Sequence, residues 1–210
     1  MSGGGRASGT SGERPDDATG NDGARIGRIE VVCGPMFAGK TEELLRRVRR
    51  AVIAGRQVIV LNHALDTRHG ADRLASHVGP DFPAIAVTDA ADIEPAVPDT
   101  ADVIAIDEAQ FFGPALVPVV DRLARRGLVV IVAGLDVTFD GRPFEPLPSL
   151  MALAERVDKL TAICTVCGEE AVFHARVDAS TEDPDALVAA NVGGTDVYQA
   201  RCRRHFAPPS

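Results

Sequence analysis

Eight residues, Gly34-Pro35-Met36-Phe37-Ala38-Gly39-Lys40-Thr41, constrain the fold more than any other stretch of the chain. They fit G-x-x-x-x-G-K-[ST], a loop whose backbone amides cradle a phosphate chain. The motif requires a strand before it and a helix after it. Ile29 to Cys33 is a short β-prone run. From Glu42 to Ala54 the spacing places Leu44, Leu45, Val48 and Val52 on one helical face, and Gly55 is a natural stop. The glycines let backbone N–H groups and a helix N-terminus converge on one phosphate chain. Lys40 adds a mobile cation for the outer phosphates, and the Thr41 hydroxyl is placed to ligate Mg²⁺. These residues predict a site for a nucleoside triphosphate.

The rest of the chain predicts the sheet that such a loop heads. Gln57 to Asn62, Ala84 to Val87, Val103 to Asp107 and Leu128 to Ala133 are further apolar runs, with a helical stretch from Phe112 to Arg126 between the last two. Unbroken β-branched runs indicate strands buried on both faces, hence a parallel sheet covered by helices. The expected fold is α/β: a P-loop (RecA-like) parallel sheet flanked by helices. Ligands in such sheets sit outside the carboxyl ends of the strands.

The residues just past each strand therefore carry the chemistry. Arg68, in the Asp66-Thr67-Arg68 segment after the second run, is either a phosphate contact or part of a surface turn. Asp107, at the end of the fourth run, is the second element of a Mg²⁺ site. Glu108 beside it is a candidate base for an acceptor hydroxyl or water, with a helix-capping role as the plainer alternative. After the fifth run, Phe139 and Phe144 stand out in a chain with 8 Phe, 1 Tyr and no Trp. They either pack the loop onto the core or wall a site for a flat base.

Cys164-x-x-Cys167 and Cys202-x-x-His205 supply four ligands suited to tetrahedral Zn²⁺. Four protein ligands leave no open position, so the expected zinc is structural. The excursion between the pairs, Glu169 to Ala200, lacks obvious secondary structure and is expected to lie over the nucleotide site as a lid. Cys33 reads as a small buried hydrophobe.

Composition sets the outer limits. At 210 residues the chain accommodates one sizeable core with a small appendage. A net charge of −8 argues against a nucleic-acid-coating surface. No apolar run is long enough for a membrane span and no signal peptide is visible, so a cytoplasmic location is expected. Residues 1–25 contain no Leu, Ile, Val or Phe before the end of the stretch and are expected to form a disordered tail. Residues 26–160 form the expected nucleotide-binding domain and 161–206 the small zinc-ribbon or lasso domain, with 207–210 loose.

Taken in order, the phosphate loop, Asp66-x-Arg68, Asp107-Glu108-Ala109-Gln110-Phe111-Phe112, Gly134 to Phe139, Pro143-Phe144, the ligand pairs and Val192-Gly193-Gly194 with Tyr198 resemble the zinc-containing, cellular-type (type II) thymidine kinases. The likeness runs from about residue 27 to 206. It implies γ-phosphate transfer from ATP to the 5′-hydroxyl of thymidine, with deoxyuridine a poorer substrate. Glu108 then matches the general base, and Thr41 and Asp107 match the Mg²⁺ positions. Gly34 to Thr41 with Asp107, Glu108, Ala109 and Gln110 match the ATP-binding segments, and Asp66 and Arg68 match phosphate-side contacts. Met36, Phe111, Leu135, Phe139, Phe144, Gly193 and Tyr198 match the thymidine pocket. The resemblance further implies a homotetramer inhibited by dTTP. His174 and Asn191 depart from the pattern, at positions where relatives more often carry Thr and an aliphatic residue. A P-loop ATPase switch with a zinc ribbon, and a zinc-ribbon nucleic-acid binder, are the alternatives from other classes. The first predicts ATP turnover without nucleoside, the second salt-dependent oligonucleotide binding.

Overall fold

The computed structural model describes residues 26–65, 73–74, 82–177 and 197–208. In chain order the elements are β1 (Arg28–Cys33), α1 (Lys40–Ile53), β2 (Val58–His63), β3 (Arg73–Leu74), β4 (Phe82–Pro83), β5 (Ile85–Val87), α2 (Ile93–Ala96), β6 (Val103–Ile106), α3 (Leu116–Arg125), β7 (Val129–Gly134), α4 (Leu147–Leu153), β8 (Arg156–Lys159), β9 (Ala162–Ile163), β10 (Glu170–Ala171), β11 (Phe173–Arg176) and β12 (Tyr198–Arg201). Six strands form one sheet in the order β5-β2-β6-β7-β1-β8, and every pairing in it is parallel.

The sheet divides the apolar side chains into two layers, as period-two alternation requires. On one face Val32, Val60, Val103, Ala105, Ile131 and Ala133 meet Leu44, Leu45 and Val48 of α1. On the other, Val31, Leu61, Ile104, Ile106, Val130 and Val132 meet the buried sides of α2, α3 and α4. Both faces are covered, which is why the central strands read as continuous apolar runs. The expected parallel α/β sheet is therefore present.

Three details differ from the sequence reading. Val52, assigned to the inner face of α1, is about half exposed and is not among the buried residues of that helix. Arg47 instead takes a buried place on that helix, with its guanidinium on Glu30, Glu43 and Asp158. The strand β8, Arg156-Val157-Asp158-Lys159, is charged at three of its four positions and has no apolar run to betray it. It is an edge strand, where charged side chains are expected. The helix expected from Phe112 begins as a 3₁₀ turn over Ala109–Ala115, broken at Gly113, and becomes α-helical only at Leu116. Pro118 is accommodated because it falls in the first turn of α3.

Beyond β8 the chain builds a small module. β9 pairs with β10 and β11 with β12, both antiparallel, over a miniature core of Ala162, Cys164, Ala171, Ala200 and Cys202. Ala38 of the phosphate loop packs against that core. The excursion expected to lack secondary structure thus contains β10, β11 and the start of β12. The expected tail at 1–25, Asp66, Arg68 and the segment holding Asn191 and Gly193 lie outside the described residues. Among the described residues no helix is long and apolar enough to cross a membrane.

Candidate active site

The loop between β1 and α1 has a backbone that few other sequences could adopt. Gly34 (φ 146°) passes so close to the end of β8 that a Cβ there would lie 2.5 Å from the Leu160 carbonyl oxygen. Gly39 (φ 79°) supplies the left-handed residue that turns the loop into α1. Phe37 also has positive φ, at 67°. The Lys40 ammonium donates to the Pro35 carbonyl oxygen at 2.8 Å, so the lysine folds back across its own loop.

The carboxyl end of β6 reaches the same place from across β7. The Thr41 hydroxyl donates to Asp107 Oδ2 at 2.8 Å, and the Glu108 N–H donates to Asp107 Oδ1 at 2.9 Å. Two hard oxygen donors, from Thr41 and Asp107, thus stand together beside the phosphate loop, a set that suits Mg²⁺. Glu108 is buried and left-handed (φ 50°, ψ 41°). Gln110 donates from Nε2 to Glu108 Oε2 at 2.5 Å and accepts the Leu135 N–H on Oε1 at 3.0 Å. Ala109 is wholly buried in the core.

An apolar cluster adjoins this corner. Met36, Leu135 and Tyr198 are buried together, with Phe139 and Phe144 packed against them. Five of the seven residues matched to the nucleoside pocket are therefore gathered by the fold. Phe111 packs against His63 with ring centroids 5.5 Å apart, and Gly193 lies outside the described residues.

Sequence reasoning noted His174 only as a departure from a pattern, and its setting explains more. The ring is fully buried and edge-on to Tyr198, with centroids 5.6 Å apart. Among the described residues neither ring nitrogen has a hydrogen-bond partner, and neither does the Tyr198 hydroxyl. Burial first, and the Lys40 charge second, hold the His174 pKa down to about 4, so the ring is neutral. Buried polar atoms of this kind beside an apolar cluster suit a flat ligand with its own polar edge.

The metal-ligand prediction closes in space. The ligand atoms of Cys164, Cys167, Cys202 and His205 all lie within 4.8 Å of one another. Cys167 Sγ to Cys202 Sγ is 3.7 Å, and His205 Nδ1 is 3.3 Å from Cys202 Sγ and 3.8 Å from Cys164 Sγ. A tetrahedral ion with metal–sulfur bonds of about 2.3 Å needs ligand edges of roughly 3.7 Å. The donor set and its size both fit. Burial opposes ionisation of Cys164, but the backbone amides of Cys202, Val166 and Cys167 and the His205 ring outweigh it, lowering the thiol pKa to about 5. Cys33 behaves as expected for a buried hydrophobe, with burial the main cause that pushes its thiol up to about 12.

A phosphate loop heading a parallel sheet, with a hydroxyl–carboxylate pair and a buried second carboxylate beside it, defines the P-loop nucleotide-binding enzymes. Comparison with known proteins narrows the class. The thymidine kinase family model matches residues 27–206. A thymidine kinase of Deinococcus radiodurans is 49% identical over 178 residues, covering 78% of this chain and 84% of its own. One from Deinococcus deserti is 47% identical over 193 residues, covering 85% and 94%, and one from Coprothermobacter proteolyticus is 48% identical over 187 residues, covering 87% and 92%. The chain belongs to the thymidine kinase family. Domain III of the Thermotoga maritima replication initiation protein DnaA shares 14% identity at a TM-score of 0.39, over 65% of this chain and 56% of that one, a likeness too distant to bear on function.

Proposed function

We propose that the protein transfers the γ-phosphate of ATP to the 5′-hydroxyl of thymidine, giving dTMP and ADP. The observation that carries this reading is the juxtaposition of three parts at one corner. These are a phosphate loop, a buried Glu108 held by Gln110, and an apolar cluster of Met36, Leu135, Phe139, Phe144 and Tyr198. Family membership supplies the nucleoside.

The residues divide the work by position. Backbone amides of Gly34 to Thr41 and the Lys40 ammonium hold the triphosphate, with Asp107, Glu108, Ala109 and Gln110 forming the second ATP-side segment. Thr41 and Asp107 would hold Mg²⁺, which when bound neutralises charge on the phosphate oxygens. The thymine and sugar lie against the apolar cluster, where His174 and Tyr198 offer polar atoms to the base. Glu108 faces the 5′-hydroxyl and takes its proton as the oxygen–phosphorus bond forms. Asp66 and Arg68 are assigned to the phosphate side and Gly193 to the loop over the base. Cys164, Cys167, Cys202 and His205 would hold Zn²⁺, whose role is structural, since four ligands leave no open position. Residues 26–160 are the nucleotide-binding domain and 161–206 the lasso domain. A cytoplasmic homotetramer inhibited by dTTP, using deoxyuridine poorly, completes the reading.

The test is ADP release from Mg²⁺-ATP with thymidine, deoxyuridine, deoxycytidine, deoxyguanosine or no nucleoside. A large rise with thymidine, smaller with deoxyuridine, is expected. Release indifferent to every nucleoside would mark an ATPase instead.

A further inference from the structure

Gln110 lies in the segment assigned to ATP, yet its side chain is already committed within the protein. It is 3% exposed, and both ends of its amide are engaged. Nε2 donates to Glu108 Oε2 at 2.5 Å, and Oε1 accepts the Leu135 N–H at 3.0 Å. Leu135 directly follows β7, the strand between β6 and β1. The amide therefore ties the carboxylate at the end of β6 to the backbone of the neighbouring strand.

The space for this tie is made by the last residue of β7. A Cβ on Gly134 would lie 2.7 Å from Gln110 Oε1, 2.9 Å from Leu147 Cδ2 and 3.2 Å from the Ala109 nitrogen. No positive φ calls for glycine there. The absence of a side chain is what lets Gln110 lie flat between the strand ends. Leu147 closes the space from α4 and is wholly buried, so Gln110 cannot swing aside without disturbing the core.

We infer that Gln110, seated by Gly134 and the Leu135 N–H, is a positioning residue that sets the orientation of the Glu108 carboxylate for the phosphoryl acceptor. Glu108 needs such a partner. Its backbone is left-handed, an uncommon state for a residue with a side chain. A flexible carboxylate in that position has several rotamers, and an amide donor anchored on another strand selects one. Catalysis by positioning is sensitive to small errors, since a displacement of about 1 Å can cost on the order of 10²-fold. Gln110 works through Glu108 and does not touch the nucleotide with its side chain. The inference rests on the base role proposed for Glu108, and the test separates the two.

The experiment is a double-mutant cycle on the full, metal-loaded chain, with kcat and both KM values measured for each variant. Glu108→Gln alone tests the base, and kcat is expected to fall about 10²- to 10⁴-fold. Gln110→Met keeps the volume but removes the donor and acceptor. Gln110→Glu keeps the acceptor for Leu135 but sets a carboxylate against a carboxylate. Each should lower kcat about 10- to 100-fold with KM values held within roughly twofold. In the Glu108→Gln background the same changes should cost less than roughly twofold, because the group they position is gone. Gly134→Ala should reproduce the pattern while leaving Gln110 in the chain. Melting curves identify any variant that fails to fold, and the cycle is then read from the others. Equal losses in both backgrounds would make Gln110 merely structural, and a raised KM for ATP with kcat kept would return it to nucleotide binding. Either result overturns the inference. An unchanged kcat in Glu108→Gln would remove the base role itself, a distinct failure.

Discussion

Asp107 and Glu108 are consecutive acids with different hydrogen-bond partners. Asp107 accepts from the Thr41 hydroxyl and from the next backbone N–H, which suits an anion beside a cation. Glu108 has a left-handed backbone and accepts from a neutral amide. His174 shows control by burial, with a measurable consequence. Its folded pKa of about 4 lies below the ordinary value of 6.5, mainly through burial. A depressed histidine favours the folded state while neutral, so between those values the unfolded chain binds the extra proton. Its contribution is present above pH 6.5, shrinks as pH falls, and is gone once pH has passed below about 4. Between pH 6.5 and 5 the loss should be about 2 kcal/mol. Urea unfolding of the wild-type protein and His174→Leu, at equal metal content, would read this as a steeper acid decline in the wild type. Parallel declines would show that His174 does not couple folding to protons.

Arg47 places an element-scale demand that apolar patterning hides. Its side chain is 6% exposed and joins α1 to β1 through Glu30 and to β8 through Asp158, while Glu43 holds it along the helix. From the helix side this guanidinium serves the buried Glu30, and removing it leaves carboxylate behind without that partner. Arg47→Met should therefore destabilise the fold by about 3 kcal/mol, despite similar bulk. The additional change Glu30→Gln should recover part of that loss. A midpoint for Arg47→Met equal to the wild type would show the network to be dispensable. Helical periodicity names Leu44, Leu45 and Val48 correctly because apolar burial is periodic. It cannot name Arg47, whose place depends on carboxylates from β1, α1 and β8. The same limit hid β8, which pairs through its backbone while its side chains stay polar. The phosphate loop and the runs that became β1, β2, β6 and β7 were legible because loop geometry and two-sided burial restrict composition. The hydrogen bond from Gln110 to Glu108 was not, since it depends on how neighbouring strand ends meet.

At the scale of the molecule, the small module and the parallel sheet meet at the loop between β1 and α1. The module core touches Ala38 of the phosphate loop, and Leu160 closes over Gly34. Phe206, just past His205, stacks on Phe173 with centroids 4.4 Å apart and fills the space beside Gly141, where a Cβ would lie 2.8 Å from its ring. Gly141 belongs to the same loop as Phe139 and Phe144, so the ligand cluster anchors a contact that reaches the loop packed on Met36, Leu135 and Tyr198. The module is small, and its core is mostly alanine and cysteine. A core of that kind buries too little apolar surface to hold itself, so a metal on the four ligands would supply much of its folding energy. Chelation should therefore loosen β9 to β12 while the six-stranded sheet persists. Amide hydrogen exchange should rise in 161–176 and 197–206 and stay low in β1, β6 and β7. Thymidine-dependent ADP release should fall at least about tenfold, because the positions of Tyr198 and His174 depend on the β11–β12 pair. Zn²⁺ should restore both signals. Cys164→Ser should mimic the chelated state without chelator. A metal-free protein with full activity and native exchange in the module would show that the four ligands are not what holds it on the phosphate loop.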